Sequence, residues 1–244
     1  MFHILYQKHM HKFLSVNMKE VIVTVAVVLR RNDGKRHSVS IEKKRFVCII
    51  SIGRSVGKHR ISKAVRPFGR GVIFWEGIKP VGREFFSSGQ YREELLFEAF
   101  KAYVLSLPGL GLTVGVNDIF GRYAERLIPL IRHAAEVRIR TVKNLDEFCE
   151  RCILSAGTCP FVSPSQSVID GCDILFDPYG AETDADTVFG KGGQTADGSL
   201  IKLPEWCSEI TSLGVDPVEL AALMSLESDE FTPEKCLASC VLGV

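Results

Sequence analysis

The sequence predicts an α/β fold, a mostly parallel sheet held between helical layers. Three observations carry that expectation. The 244 residues are 24% charged and 46% hydrophobic, a globular balance at a length that suits one large domain or two small ones. Short apolar runs rich in β-branched residues recur along the chain, as FVCII, GVIFW, LTVGV, VRIRT and DILFD. Segments of helical period stand between them, and strands alternating with helices favour a parallel sheet with helices on its faces.

Taken in order, residues 20–31 (EVIVTVAVVLRR) read as a strand and Asn32-Asp33-Gly34 as a tight turn. Residues 37–42 (HSVSIE) alternate and read as the returning strand of an N-terminal β-hairpin, with Val39 and Ile41 facing inward. The run at 45–52 is continuously apolar, as in a strand buried on both faces. A basic helix over 54–66 is expected from Val56, Ile61, Ala64 and Val65, with Pro67 and Gly69 ending it before a strand at 71–75. Residues 91–107 form the strongest helix, with Leu95, Leu96, Ala99, Phe100, Tyr103, Val104 and Leu107 on one broad stripe and Pro108-Gly109 as the stop.

Residues 112–140 then read strand, turn, helix, strand. In the helix Tyr123, Leu127, Leu130, Ile131 and Ala134 share a face. This is a βαβ unit, whose connection is right-handed. A helix over 145–155, strands at 159–162 and 173–176, and a short helix or turn between them follow. The five apolar runs are expected as neighbours in one sheet. The class is therefore a Rossmann-like three-layer sandwich with a mostly parallel sheet, an N-terminal β-hairpin and a C-terminal helical tail. Its expected parts are a flexible basic arm (1–18), the α/β domain with its hairpin (19–180), and an acidic loop with a helical extension (181–244). Within the last part, TDADTVFGKGGQTADGS has no period and reads as a surface loop or short hairpin, and helices are expected from Asp216-Pro217 and over 233–241.

Charge is divided unevenly. Up to Arg92 the chain has 19 Lys/Arg against 5 Asp/Glu, and from Glu93 onward 11 against 24. The halves can attract each other within a chain or between chains, which would make a homo-oligomer. A basic face for phosphate or nucleic acid is the alternative, though no aromatic-rich RNA motif or recognition helix accompanies it. The eight cysteines are below disulfide-scaffold density and no secretory pattern precedes them. A cytoplasmic protein with reduced thiols, not a membrane protein, is expected.

Four constellations could carry chemistry. The turn Asn117-Asp118-Ile119-Phe120-Gly121-Arg122 stands where a dinucleotide fold places its phosphate loop, but G-x-G-x-x-G is absent. Here Asn117 could hydrogen-bond a base or ribose, Gly121 could admit a ligand to the backbone, and Arg122 could meet an anion. The competing role for Asn117 and Asp118 is to cap the helix. Gly53-Arg54-Ser55-Val56-Gly57-Lys58 is one residue short of a phosphate loop, and His59 replaces the magnesium-binding hydroxyl. A looser anion site at Gly53, Gly57 and Lys58 is what remains.

Cys149, Cys152, Cys159 and Cys172 lack the paired knuckles of a zinc ribbon, so packing is expected and no metal. Finally Asp177-Pro178-Tyr179-Gly180 at a strand end resembles the Asp-Pro-Pro-Tyr motif of amino-methyltransferases, with one proline missing. That resemblance implies S-adenosylmethionine and a loop that holds the target amine. The glycine-rich loop the cofactor needs is not recognisable at 114–121. No G-x-S-x-G elbow is present for serine catalysis.

The expected function is binding of a nucleotide or other small anionic ligand by a Rossmann-like protein without an intact catalytic motif. The alternative is an enzyme with a diverged cofactor loop, using NAD(P) or S-adenosylmethionine. Ligands in open α/β sheets sit outside the carboxyl ends of the strands. Those ends carry residues 53–58, 76–77, 117–121, 141–144, 163–165 and 177–180, and the ligand site is placed at Asn117, Asp118, Gly121, Arg122, Asp177 and Tyr179.

Overall fold

The computed structural model describes residues 26–32, 36–37, 39–44, 47–65, 72–74, 88–191, 193–212, 215–225 and 228–238. The arm at 1–18, the Asp33-Gly34 turn, residues 76–77 and parts of the 20–31 and 71–75 runs lie outside them. The chain divides into two units, one of Met1–Ser88 with Leu203–Phe231, the other of Gly89–Lys202 with Thr232–Val244.

In the first unit β1 (Ala26–Asn32), β2 (Val39–Lys44), β3 (Val47–Gly53) and β4 (Val72–Phe74) form a four-stranded sheet in the order β2-β3-β1-β4. β1 pairs in parallel with both β3 and β4, and helix α1 (Lys58–Val65) joins those two flanking strands. The antiparallel hairpin is present, but its arms are β2 and β3 rather than β1 and β2. Composition marks a strand without naming its partner, and β3 supplies both β2 and β1 with a ladder. Ile41 is 52% exposed rather than turned inward, because β2 is an edge strand whose outer residues meet solvent. Later in this unit α5 (Ser208–Thr211) and α6 (Pro217–Met224) follow; Asp216 caps α6 by accepting the Val218 N–H at 2.8 Å.

In the second unit α2 (Gly89–Ser106) precedes a five-stranded sheet. Its strands are β5 (Thr113–Asn117), β6 (Glu136–Arg140), β7 (Phe161–Ser163), β8 (Ile174–Asp177) and β9 (Thr187–Gly190). All pair in parallel in the order β7-β6-β5-β8-β9. Helix α3 (Ile128–His133) links β5 to β6, and α4 (Asp146–Ala156) links β6 to β7. The chain then returns past β5 through a single 3-10 turn, Gln166–Ile169, to reach β8. Right-handed connections put that return on the face opposite α3 and α4. The α/β class is thus realised, with β5 at the centre. Helix α7 (Pro233–Cys236) packs against α2.

The core of this unit is aromatic. Phe97 and Phe100 of α2, Tyr123, Phe176 of β8 and Phe189 of β9 are fully buried. Phe97 meets Tyr123 at 4.4 Å between ring centroids and Phe176 at 5.1 Å. Burying each such side chain contributes roughly 1.5–3 kcal/mol.

Three further expectations are corrected. FVCII and GVIFW lie in the first sheet and LTVGV, VRIRT and DILFD in the second, because periodicity marks a strand but not its neighbours. The 3.6-residue stripe after Gly121 becomes a 3-10 turn, Ala124–Leu127, followed by the six-residue α3. Pro129 explains the break: it lacks an N–H and crowds the carbonyl four residues back, so the helix starts at Ile128. The expected loop around TVFG contains β9, which extends the sheet in parallel beside β8. Among the described residues no helix is long and apolar enough to cross a membrane.

Candidate functional site

Strand order reverses at β5. From it the chain steps outward to β6 and β7, then returns to β8 on the other edge. The carboxyl ends of β5 and β8 are Asn117 and Asp177, both fully buried. The Asn117 Nδ2 donates to Asp177 Oδ1 at 2.7 Å. Asp177 Oδ1 also accepts the Tyr179 N–H at 3.1 Å and its Oδ2 the Ala181 N–H, so this carboxylate shapes the turn after β8. A carboxylate can only accept, which fixes the Asn117 amide with its NH2 toward Asp177. Its Oδ1 has no hydrogen-bond partner, alone among the buried side-chain polar atoms of the described residues. A buried acceptor left unpaired costs about 1–3 kcal/mol.

Asp118 is also buried, and both of its oxygens are used locally. Oδ1 accepts the Arg122 N–H at 2.8 Å and Oδ2 the Tyr123 N–H at 2.7 Å, while its carbonyl accepts the Gly121 N–H at 3.0 Å. These are the amides that a dinucleotide loop turns toward a pyrophosphate. Here a carboxylate from the same turn occupies them, which explains why the turn does without the glycine fingerprint. Gly121 has φ +66, and a Cβ there would lie 3.0 Å from Lys143 Cγ. The turn thus rests against the loop that follows β6.

The Arg122 guanidinium pairs with Glu93 of α2 and receives support from the Tyr179 oxygen at 3.3 Å. Tyr123 donates its hydroxyl to the same Glu93 oxygen at 2.7 Å; burial first, and Glu93 second, push the Tyr123 pKa up. Phe120, 57% exposed, meets the Tyr179 ring edge-on at 5.9 Å between centroids. Asn117, Asp118, Gly121, Arg122, Asp177 and Tyr179, although sixty residues apart in two groups, therefore converge on one end of the sheet.

Beside this cluster, at the carboxyl ends of β6 and β7, lies a cavity of about 410 Å³. Thr141, Lys143, Asn144, Asp146 and Ser163 are the polar residues of its wall, Val142, Leu145, Val162 and Pro164 the apolar ones, and Cys149 completes it. Thr141 braces it: its N–H donates to Ser163 O at 3.0 Å, and its Oγ1 donates to Ile119 O at 3.2 Å and accepts the Lys143 N–H at 3.1 Å. Lys143 and Cys149 were not singled out as ligand contacts from sequence. The available signal was position alone, directly after β6 and in the first turn of the next helix.

The Gly53–Lys58 segment belongs to the first unit. Gly53 ends β3 and Gly57 precedes α1. Between them the Ser55 N–H donates to Arg36 O at 2.8 Å and the Val56 N–H to Gly53 O at 3.2 Å. The side chain of Lys58 lies outside the described residues. Cys152 and Cys172 are buried free thiols; Cys172 packs under Gly115, where a Cβ would come within 2.9 Å of its sulfur. Among the described residues no group of three or more His, Cys, Asp or Glu is arranged to hold a metal.

No protein-family model matches the chain, and no curated protein matches it. Among solved structures it is similar to L-tryptophan dehydrogenase from Nostoc punctiforme, with 14% identity over 78% of this chain and a TM-score of 0.34. The match spans 64% of that chain. A likeness of this size transfers neither ligand nor activity.

Proposed function

We propose that the second unit is a binding module for a small nucleoside phosphate, held in the cavity at the carboxyl ends of β6 and β7. The observation that carries this reading is the cavity itself, set beside the point where strand order reverses. Leu145, Val162 and Pro164 suit the faces of a flat ring, and Ser163 and Asn144 its polar edges and the sugar. Because Asp118 already occupies the amides of the Gly121 turn, the phosphate must be met by side chains. Lys143, packed on Gly121, is the cation among the residues of the cavity wall.

Calorimetric titration of the full chain with adenosine, AMP, NAD, NADP, S-adenosylmethionine and GTP tests this. The phosphorylated compounds should bind more tightly than adenosine. Lys143→Ala should weaken AMP binding about tenfold, the equivalent of one charge-assisted hydrogen bond, and leave adenosine unchanged. A chain that binds none of them, or binds AMP equally well without Lys143, would remove the proposal. Preferential binding of S-adenosylmethionine would favour the methyltransferase alternative.

A further inference from the structure

Two lysines lie across two neighbouring turns at the carboxyl face of the second sheet. Lys143 covers Gly121, in the turn after β5, where a Cβ would stand 3.0 Å from the lysine Cγ. Lys191 covers Gly180, in the turn after β8, where a Cβ would stand 2.9 Å from the lysine Cδ and 3.3 Å from its Cβ. In each place the missing side chain leaves room for a lysine stem. Lys191 is fixed through its backbone as well, donating its N–H to Asp177 O at 3.0 Å. β5 and β8 are paired, and adjacent strands lie about 5 Å apart. Their turns touch, through Arg122 and Tyr179 at 3.3 Å and through the Phe120 and Tyr179 rings.

The other charges near these turns are already engaged. Arg122 is paired with Glu93. The carboxylates of Asp118 and Asp177 are buried and accept backbone amides. The acidic run at 182–186 leaves this face. Gln166 Nε2 donates to Glu182 O at 2.8 Å, the Gly171 N–H donates to Asp184 Oδ1 at 2.8 Å before β8 begins, and Asp186 stands at the amino end of β9. Lys143 and Lys191 are both exposed, and among the described residues neither ammonium has an ion-pair partner.

The geometry points to a pyrophosphate ligand, a nucleoside diphosphate or its ester, with one phosphate met by Lys143 and the second by Lys191. This rests on the reading of the cavity as a nucleoside phosphate site and extends that ligand by one phosphate, toward β8. Two flexible lysine arms rooted on touching turns can converge on a group of this size, and each adds a charge-assisted hydrogen bond.

The full chain is titrated calorimetrically with AMP and with ADP, in chelator so that no divalent metal carries the second phosphate. ADP should bind about tenfold more tightly than AMP, the equivalent of one further charge-assisted hydrogen bond. Lys191→Ala should bind AMP as the parent does and lose the preference for ADP, and Lys191→Arg should keep it. Lys202→Ala serves as the control. That exposed lysine is held beside α7, its N–H on Cys236 O at 2.7 Å, and its loss should leave the preference intact. The parent chain's own ratio of the two affinities decides even if a variant fails to fold. Equal binding of AMP and ADP by the parent, a preference that survives Lys191→Ala, or one lost equally in Lys202→Ala would overturn the pyrophosphate assignment and leave the cavity reading standing. Binding of neither nucleotide would overturn both.

Discussion

Asn117 and Asp177 share a buried hydrogen bond of 2.7 Å, side chain to side chain, across the point where strand order reverses. It ties the carboxyl end of β5 to that of β8 and leaves the second face of the Asn117 amide unpartnered. Asn117→Ala removes the donor and should lower the stability of the second unit by about 1–3 kcal/mol. Asn117→Asp sets two carboxylates side by side; its deficit should be larger at neutral pH and shrink on acidification, as protonation relieves the repulsion. Urea denaturation followed by circular dichroism reads both. Parent-like stability in Asn117→Ala would mean that the bond does not hold the strands.

Asp118 acts through two backbone amides. Asp118→Ala leaves the Arg122 and Tyr123 N–H groups without an acceptor and should cost about 1–2 kcal/mol, as other lost caps do. Asp118→Asn keeps one acceptor and should cost less. Equal losses in the two variants would show that a single remaining acceptor contributes nothing to holding the turn.

How far the sequence reveals this architecture depends on the kind of information each residue carries. The 112–140 unit and α2 were legible because apolar spacing and the Pro108-Gly109 stop are local signals. The convergence of Asn117 with Asp177 was legible as well, since strand ends of a parallel sheet gather on one side whatever their separation in the chain. Strand pairing was not. β1 and β3 are alike in composition, and nothing in either says that β2 would choose the second. β9 escaped notice because TVFG is short and flanked by an acidic, aperiodic stretch; its place is set by the close approach of Gly190 to β8. The cavity was legible only as a location, because its wall comes from loops whose residues have no shared spacing.

Gly190 therefore admits a direct test. Its φ is +146, and a Cβ there would stand 1.9 Å from the carbonyl oxygen of Asp177. Gly190→Ala should lose about 1–3 kcal/mol from the backbone alone, with the clash added, and detach β9 from the sheet. Amide hydrogen exchange at Val188 and Phe189 should rise sharply in the variant. Unchanged protection would contradict the close approach.

The buried thiol of Cys172 and the half-buried one of Cys149 give the second unit an alkaline limit. Burial raises Cys172 from 9.0 to about 11 and Cys149 from 9.0 to about 12. Above pH 9 the unfolded chain releases protons that the folded chain keeps. This stabilising contribution is complete below pH 9 and is lost as pH rises toward 11 and 12. Cys172→Ala removes one of the two, so the fall of melting temperature between pH 9 and 11 should become shallower, on top of any uniform loss from the vacated space. An identical slope in parent and variant would refute the assignment to Cys172.

A nucleoside phosphate bound at the carboxyl ends of β6 and β7 would perturb the amides around it. Amide chemical-shift mapping of the isotope-labelled full chain during titration with AMP tests it most directly. Saturable shifts are expected at Gly121, Lys143, Asn144 and Ser163, and none at Asn144 in the Lys143→Ala variant over the same concentrations. Shifts confined to Gly53 and Gly57, or no saturable shift at any of these residues, would contradict it.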